Sequence, residues 1–314
     1  MGNQALQINN DQVNGAHADI AITTHGSDFY WAVCAVMTVA TFAFVGLAGT
    51  KKRSDRIFHY ITSGVTMVAA IAYFSMASNL GWTSIDVEFV RSDPVVSGFS
   101  REIFYVRYID WFITTPLLLL DLMLTAAMPW PTTLWIILID WVMIITGLVG
   151  ALVSSSYKWG YFVFGCVALF WIVYVLVWEA RIHANGVSSD AGRAFLFCGS
   201  LTAFLWILYP IAWGLAEGGN VIAPDSEAVF YGILDMLAKP GFGALLLWGH
   251  RNISPASLGL AIKDYGSDDH TVIEKKDGHH TNGHSTGVTN GTNGVDGTNG
   301  VTATNGHTTA EQVV

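Results

Sequence analysis

The chain has 314 residues, about two ordinary domains by length, yet 52% of them are apolar and 12% are charged, where soluble domains carry roughly 25% charged residues. This excludes an ordinary soluble globular protein, and 15 Lys and Arg against 24 Asp and Glu, a net charge of −9, leave no basic footprint for nucleic acid. Cys34, Cys166 and Cys198 lie inside apolar runs, without the spacing of a disulfide framework or a Cys-rich metal site.

Residues 1–27 are polar and carry neither Lys nor Arg, so no basic n-region of a signal peptide opens the chain. A bilayer core of about 30 Å needs roughly 20 mostly apolar residues per helix. Seven windows qualify, at 28–50, 57–80, 102–127, 131–153, 157–180, 193–216 and 228–250. Backbone exposed to lipid must satisfy its own hydrogen bonds, so each window is expected to be a helix. The expected fold is an all-α membrane protein, a seven-transmembrane-helix bundle over 28–250. Between the second and third helices, apolar stretches with Pro94 and Gly98 at a turn predict a short hairpin.

Loop charges orient the bundle. Lys51, Lys52, Arg53, Arg56, Arg181, Arg193 and Arg251 fall at one end, and Arg91, Arg101 and Lys158 at the other. An excess of Lys and Arg marks the cytoplasmic side, which puts residues 1–27 and the hairpin outside and residues 251–314 inside. From about 266 no aromatic residue remains and Thr-Asn-Gly recurs at Thr281, Thr289, Thr292, Thr298 and Thr304. Such a segment buries too little to offset its ordering entropy and is expected to be disordered. On the cytoplasmic side its Asn290 sequon goes unused. With no fold to fix His279, His280 and His284, no metal site is assigned.

Arg107, Asp110, Asp121, Asp140, Asp235 and Lys239 lie inside predicted helices. An ionisable group there costs about 3 kcal/mol or more unless paired, and marks function by default. Asp235 and Lys239 are four residues apart and share a face. A desolvated lysine is a poor stabiliser but an effective Schiff-base former. Asp110 and Asp121 are eleven residues apart, roughly 16 Å of rise with an angular offset of about 20°. The stripe therefore runs Arg107, Asp110, Thr114, Asp121, a stepped line suited to moving protons. Packing by buried polar groups, worth about 1 kcal/mol per contact in membranes, accounts for Thr114 and Thr115 but poorly for two carboxylates and an arginine.

The run from Arg107 through Tyr108, Asp110, Trp111, Thr114, Thr115 and Pro116 to Asp121 resembles the third helix of bacteriorhodopsin-type microbial rhodopsins. Trp206, Tyr209, Pro210 and Trp213 resemble their sixth helix, and Asp235 to Lys239 their seventh. The likeness spans all seven helices, and the long polar ends resemble the fungal branch.

The resemblance implies all-trans retinal in the bundle core, bound to Lys239 as a protonated Schiff base with Asp110 and Asp235 as counterions. It makes Asp110 the proton acceptor and Asp121 the internal donor. Asp121 stands among leucines without a basic neighbour in sequence, which favours its neutral form, whereas Arg107 and the lysine favour ionised Asp110. Glu217 and Glu227 match the family's proton-release carboxylates, and as residues alone are equally two loop acids. Asp140 matches a carboxylate that bonds a third-helix hydroxyl, here Thr115. Trp111, Trp206, Tyr209 and Trp213 match the aromatic box around retinal, with Tyr73, Leu118, Met143, Gly147 and Phe162 as further lining; Phe162 replaces the usual tryptophan. Pro240 directly follows Lys239 and disfavours regular helix there, predicting a local bulge.

A light-driven outward proton pump and a slow photosensor acting through a partner both fit the motif, and the pump is the leading expectation. Neither is an enzyme. A ligand-activated receptor shares only the helix count, and a cation channel would want a more polar pore. The implied partners are protons and the lipid bilayer, expected to be the plasma membrane; the resemblance also allows a homo-oligomer.

Overall fold

Seven helices long and apolar enough to cross a bilayer carry the described residues: α1 Thr24–Gly49, α2 Ile57–Ala77, α3 Tyr105–Thr125, α4 Trp130–Leu152, α5 Lys158–Val187, α6 Ser189–Gly218 and α7 Pro224–Asn252. The computed structural model describes residues 3–87, 98–260 and 262. Pro94, Arg91, the Thr-Asn-Gly repeats, the Asn290 sequon and the three tail histidines lie outside the described residues.

The helix starts follow from local chemistry. The Thr23 side chain accepts the His25 N–H at 3.2 Å and caps α1, satisfying one of the amides that a first turn leaves unpaired. The loop expected at 181–192 contracts to Ser188. Its extended backbone ends α5, and its hydroxyl accepts the Ala191 N–H at 3.1 Å to start α6. α7 begins at Pro224, four residues before the window, because proline suits the first helical position while Asp225 and Glu227 depress the local hydropathy.

Between α2 and α3, β1 Thr83–Asp86 pairs antiparallel with β2 Ser100–Ile103, Thr83 opposite Ile103 and Asp86 opposite Ser100. The amino-terminal segment adds a parallel bridge: Ile20 N–H donates to Ser100 O at 2.9 Å, and Glu102 N–H to Ile20 O at 3.0 Å. Gly81 admits the chain to this hairpin. Its φ is +78°, and a Cβ there would stand 2.7 Å from Val106 Cβ, so only glycine fits.

The burial pattern suits a bilayer. Val39, Phe42, Phe164, Val167 and Phe170 point outward, while Thr62, Asp121, Asp140, Asp235 and Lys239 are buried. Of the apolar 18-residue window of α3, 72% is buried, against 22% for α1, so α3 runs through the centre. Among the described residues, α5, α6 and α7 each contain a π-helical turn, at Val175–Ala180, Gly214–Gly218 and Leu237–Gly241. The last encloses Lys239 and Pro240, the place where the sequence predicts a bulge.

Candidate functional site

Lys239 is the hub of the bundle core. Its Nζ donates to Asp110 Oδ2 across the α7–α3 contact and stands 3.0 Å from Asp235 Oδ2 one turn back on α7. All three side chains are buried, so low polarity strengthens their attraction. Tyr73 from α2 donates to Asp235 Oδ2 at 2.7 Å and Tyr209 from α6 to Asp235 Oδ1 at 2.6 Å. Asp235 is thereby fixed by three elements. Asp110 Oδ1 has no partner among the described residues.

A cavity opens beside Lys239, lined by Trp111, Thr115, Leu118, Met143, Gly147, Phe162, Trp206, Tyr209 and Trp213, all expected from the sequence, and by Tyr108, Ile144, Gly165, Cys166, Leu169, Pro210, Tyr231 and Ala238, which were not. Trp213 stacks on Phe162 with centroids 5.0 Å apart, and its Nε1–H donates to Gly147 O at 3.2 Å. Trp111 meets Tyr209 edge to face at 5.2 Å. Apolar and aromatic walls with one amine suit a conjugated polyene aldehyde, which needs contact along its length and a nucleophilic nitrogen at one end. The residues present fit retinal.

One expected lining residue stands elsewhere, and Asp140 makes the hydroxyl contact expected of it. Tyr73 is absent from the cavity wall and instead orients Asp235. Asp140 stands behind the wall, where Thr115 donates to its Oδ2 at 2.7 Å. Thr114 turns its hydroxyl back to Asp110 O at 2.8 Å, the usual resting place for a helical threonine.

On the hairpin side, Arg107, expected beside Asp110 as a group favouring its ionised form, makes its hydrogen bonds elsewhere. Arg107 donates to Glu217 Oε1 at 3.1 Å, Glu227 Oε1 at 2.6 Å and Tyr30 Oη at 2.8 Å, and its guanidinium lies 4.2 Å from the Tyr231 ring centroid. Two carboxylates and a phenol outcompete Asp110, whose charge Lys239 already matches. Glu217 and Glu227 are buried in helical turns and are not solvated loop acids. Glu217 also accepts from Tyr108 and Tyr231, each at 3.1 Å. Arg101 and Lys158, expected as loop cations, are buried as well. Arg101 donates to Glu227 Oε2 at 2.6 Å and to Ile222 O at 2.9 Å, and Lys158 to Glu217 O at 2.8 Å.

Asp121 is set apart from these charges. Thr62 from α2 approaches its Oδ2 at 3.3 Å, and its Oδ1 has no partner among the described residues. Thr125 accepts or donates at 3.2 Å with His250 Nε2, while its hydroxyl reaches Asp121 O at 2.7 Å. Thr62 is close because Gly243 of α7 lacks a side chain. A Cβ there would lie 2.2 Å from Thr62 Cγ2.

Sequence reasoning missed Tyr30, Tyr231, Arg101, Lys158, Thr62 and His250. Tyr231 carried a signal, since it sits four residues before Asp235 and eight before Lys239 and so shares their face. The others meet the site only through tertiary contacts.

A family model described as bacteriorhodopsin-like protein matches residues 25–253. The opsin-like protein carO of Fusarium fujikuroi is 71% identical over 262 residues, covering 83% of this chain and 85% of that protein. A light-driven proton pump, LR (Mac) from Leptosphaeria maculans, has the same bundle with a TM-score of 0.71 at 36% identity, covering 76% of this chain and 99% of that one. The light-driven proton pump rhodopsin CsR from Coccomyxa subellipsoidea gives 0.69 at 37% identity, over 73% and 98%. With the family model spanning every membrane helix and the lysine in its place in the seventh, this chain belongs to the bacteriorhodopsin-like family.

Proposed function

We propose that the chain is a light-driven pump that moves protons outward, from the end bearing Lys51 to Arg56 and Arg251 toward the hairpin end. The observation that carries this is the division of the buried carboxylates of α3. Asp110 is paired with Lys239, whereas Asp121, roughly 16 Å along the helix, is buried without an ion pair among the described residues. The two rhodopsins described as light-driven proton pumps support it further.

Lys239 Nζ would hold all-trans retinal as a protonated Schiff base, and the group would supply light absorption and the photochemical drive for proton transfer. Trp111, Trp206, Trp213 and Phe162 would wall it, and Tyr73 and Tyr209 keep Asp235 in place as the fixed counterion. Asp110 Oδ2, already in contact with Nζ, accepts the proton. Arg107 then responds to the changed charge on Asp110, and the Glu217 and Glu227 cluster passes a proton outward. Asp121, among Leu117 to Leu124, returns a proton to Nζ from the opposite side.

Vesicles containing the retinal-bound chain, illuminated while external pH is recorded, should show a light-dependent change that a protonophore collapses. Lys239→Ala, which removes the attachment point, should be colourless and inactive. Pigment without net transport would favour a photosensor.

A further inference from the structure

Glu102, at the third position of β2, belongs to none of the groups named so far in proton transfer. Its side chain is 1% exposed. Oε2 accepts the Ile22 N–H at 2.7 Å, and Oε1 is buried without a partner among the described residues. A buried carboxylate with one oxygen unsatisfied is costly, whereas a carboxylic acid needs less solvation there. Burial pushes the Glu102 carboxyl up to about 8; the Ile22 amide pulls it down, Glu227 adds to the rise, and Arg101 and Arg107 oppose it. Tyr30 of α1 faces it as well. At neutral pH Glu102 therefore holds a proton, beside the Arg101 to Glu227 ion pair.

Its strand, β2, lies outside the membrane-spanning helices and runs to the exposed surface. Two residues earlier on β2, Ser100 N–H donates to Asp19 Oδ2 at 2.8 Å at the exposed surface. We propose that Glu102 is the terminal proton-releasing carboxyl of this chain, giving the proton on Oε1 to bulk water on the hairpin side. This rests on the pump assignment. When a proton reaches the Glu217 and Glu227 cluster, the carboxylate that opposed ionisation of Glu102 is neutralised, and Arg101 and Arg107 are left to stabilise the Glu102 anion. Glu102 then loses its proton to water, and the proton that reached the cluster, the one accepted by Asp110, passes on to Glu102 and restores both groups. One proton leaves per cycle.

The test uses the full chain with retinal, as wild type, Glu102→Gln and Glu102→Asp. Gln keeps an oxygen for the Ile22 amide, and visible absorption reports folding. In the dark, with and without retinal, infrared spectra of the wild type should show a carboxyl band that titrates with a midpoint near pH 8, absent from Glu102→Gln and displaced in Glu102→Asp. After a flash, a pH-indicator dye in the outer medium should register release at least ~10-fold later in Glu102→Gln, as expected when a positioned proton carrier is lost, with Glu102→Asp in between. Should Gln yield no pigment, the dark titration of Glu102→Asp decides: a displaced midpoint supports the assignment, an unmoved one overturns it. A titrating band that persists in Glu102→Gln, or release on the wild-type timescale, overturns it also. A wild type that pumps while Glu102→Gln is unaltered removes only Glu102, whereas a wild type that moves no protons removes the pump assignment itself.

Discussion

Asp110 and Asp121 share a helix, a side-chain type and complete burial, and differ in one respect: the first touches a cation. That difference predicts opposite consequences of the same substitution. Asp110→Asn leaves Lys239 with Asp235 as its only close carboxylate among the described residues, so the positive ground state is less stabilised. Its visible absorption should move to the red and light-driven proton transport should vanish; normal pumping with an unchanged spectrum would reassign the acceptor. Asp121→Asn removes no charge pair and should leave the spectrum nearly unmoved. Flash photolysis should instead find the return of the proton to Lys239 Nζ slowed by about 10²-fold or more, dependent on pH, and restored by azide carrying protons in. Asp110 with Asp121, and Asp235 with Lys239, were legible because each pair lies within one helix; the pairing of Asp110 with Lys239 between α3 and α7 came from the family resemblance. Arg107 was not, because its partners come from α1, α6 and α7, and nothing in the local sequence ranks them against Asp110.

Among elements, α7 carries the most constraint per residue. Pro240 has no N–H to give to the preceding turn, and the backbone relaxes into the π-helical turn Leu237–Gly241, with Phe242 N–H reaching Leu237 O. That feature was readable from one dipeptide. Gly243 was not, since its importance lies in Thr62 and Phe44 of other helices. Gly243→Ala should cost about 1–3 kcal/mol through overpacking, seen as a lower temperature of pigment bleaching. It should also push Thr62 from Asp121 and slow reprotonation without shifting the visible maximum. An Ala variant as stable and as fast as wild type would mean that the two helices separate freely.

For the molecule as a whole, an odd number of spans puts residue 24 and residue 252 at opposite ends, and the basic loop residues Lys51, Lys52, Arg53, Arg56 and Arg251 gather at the end away from the hairpin. The positive-inside rule then predicts that the end bearing residue 252 faces the cytoplasm, which a tag on the chain beyond it can test. An epitope tag there should become accessible to antibody only after cells are permeabilised, while one at the amino terminus should react on intact cells. The seven spans were readable because a bilayer imposes a length and a polarity on every helix. The helix ends and the buried Arg101, Glu217 and Glu227 were not, because hydropathy scores a charged residue as loop whether or not its charge is matched inside; Glu102, inside the third window, stands on β2 instead.

The extra residue in the π-helical turn of α7 also sets a phase. Each residue advances a helix by about 100°, so one inserted position rotates everything beyond it by that angle relative to the half before it. Asp235 and Lys239 obey one phase, Gly243 and His250 another. Deleting a single residue just after Pro240 would rewind α7 into a uniform spiral and leave the amine beside Asp235. It would also swing Gly243 off Thr62 and His250 away from Thr125. In this half of the bundle, one codon lost from the helix is therefore expected to do more damage than several lost from a loop.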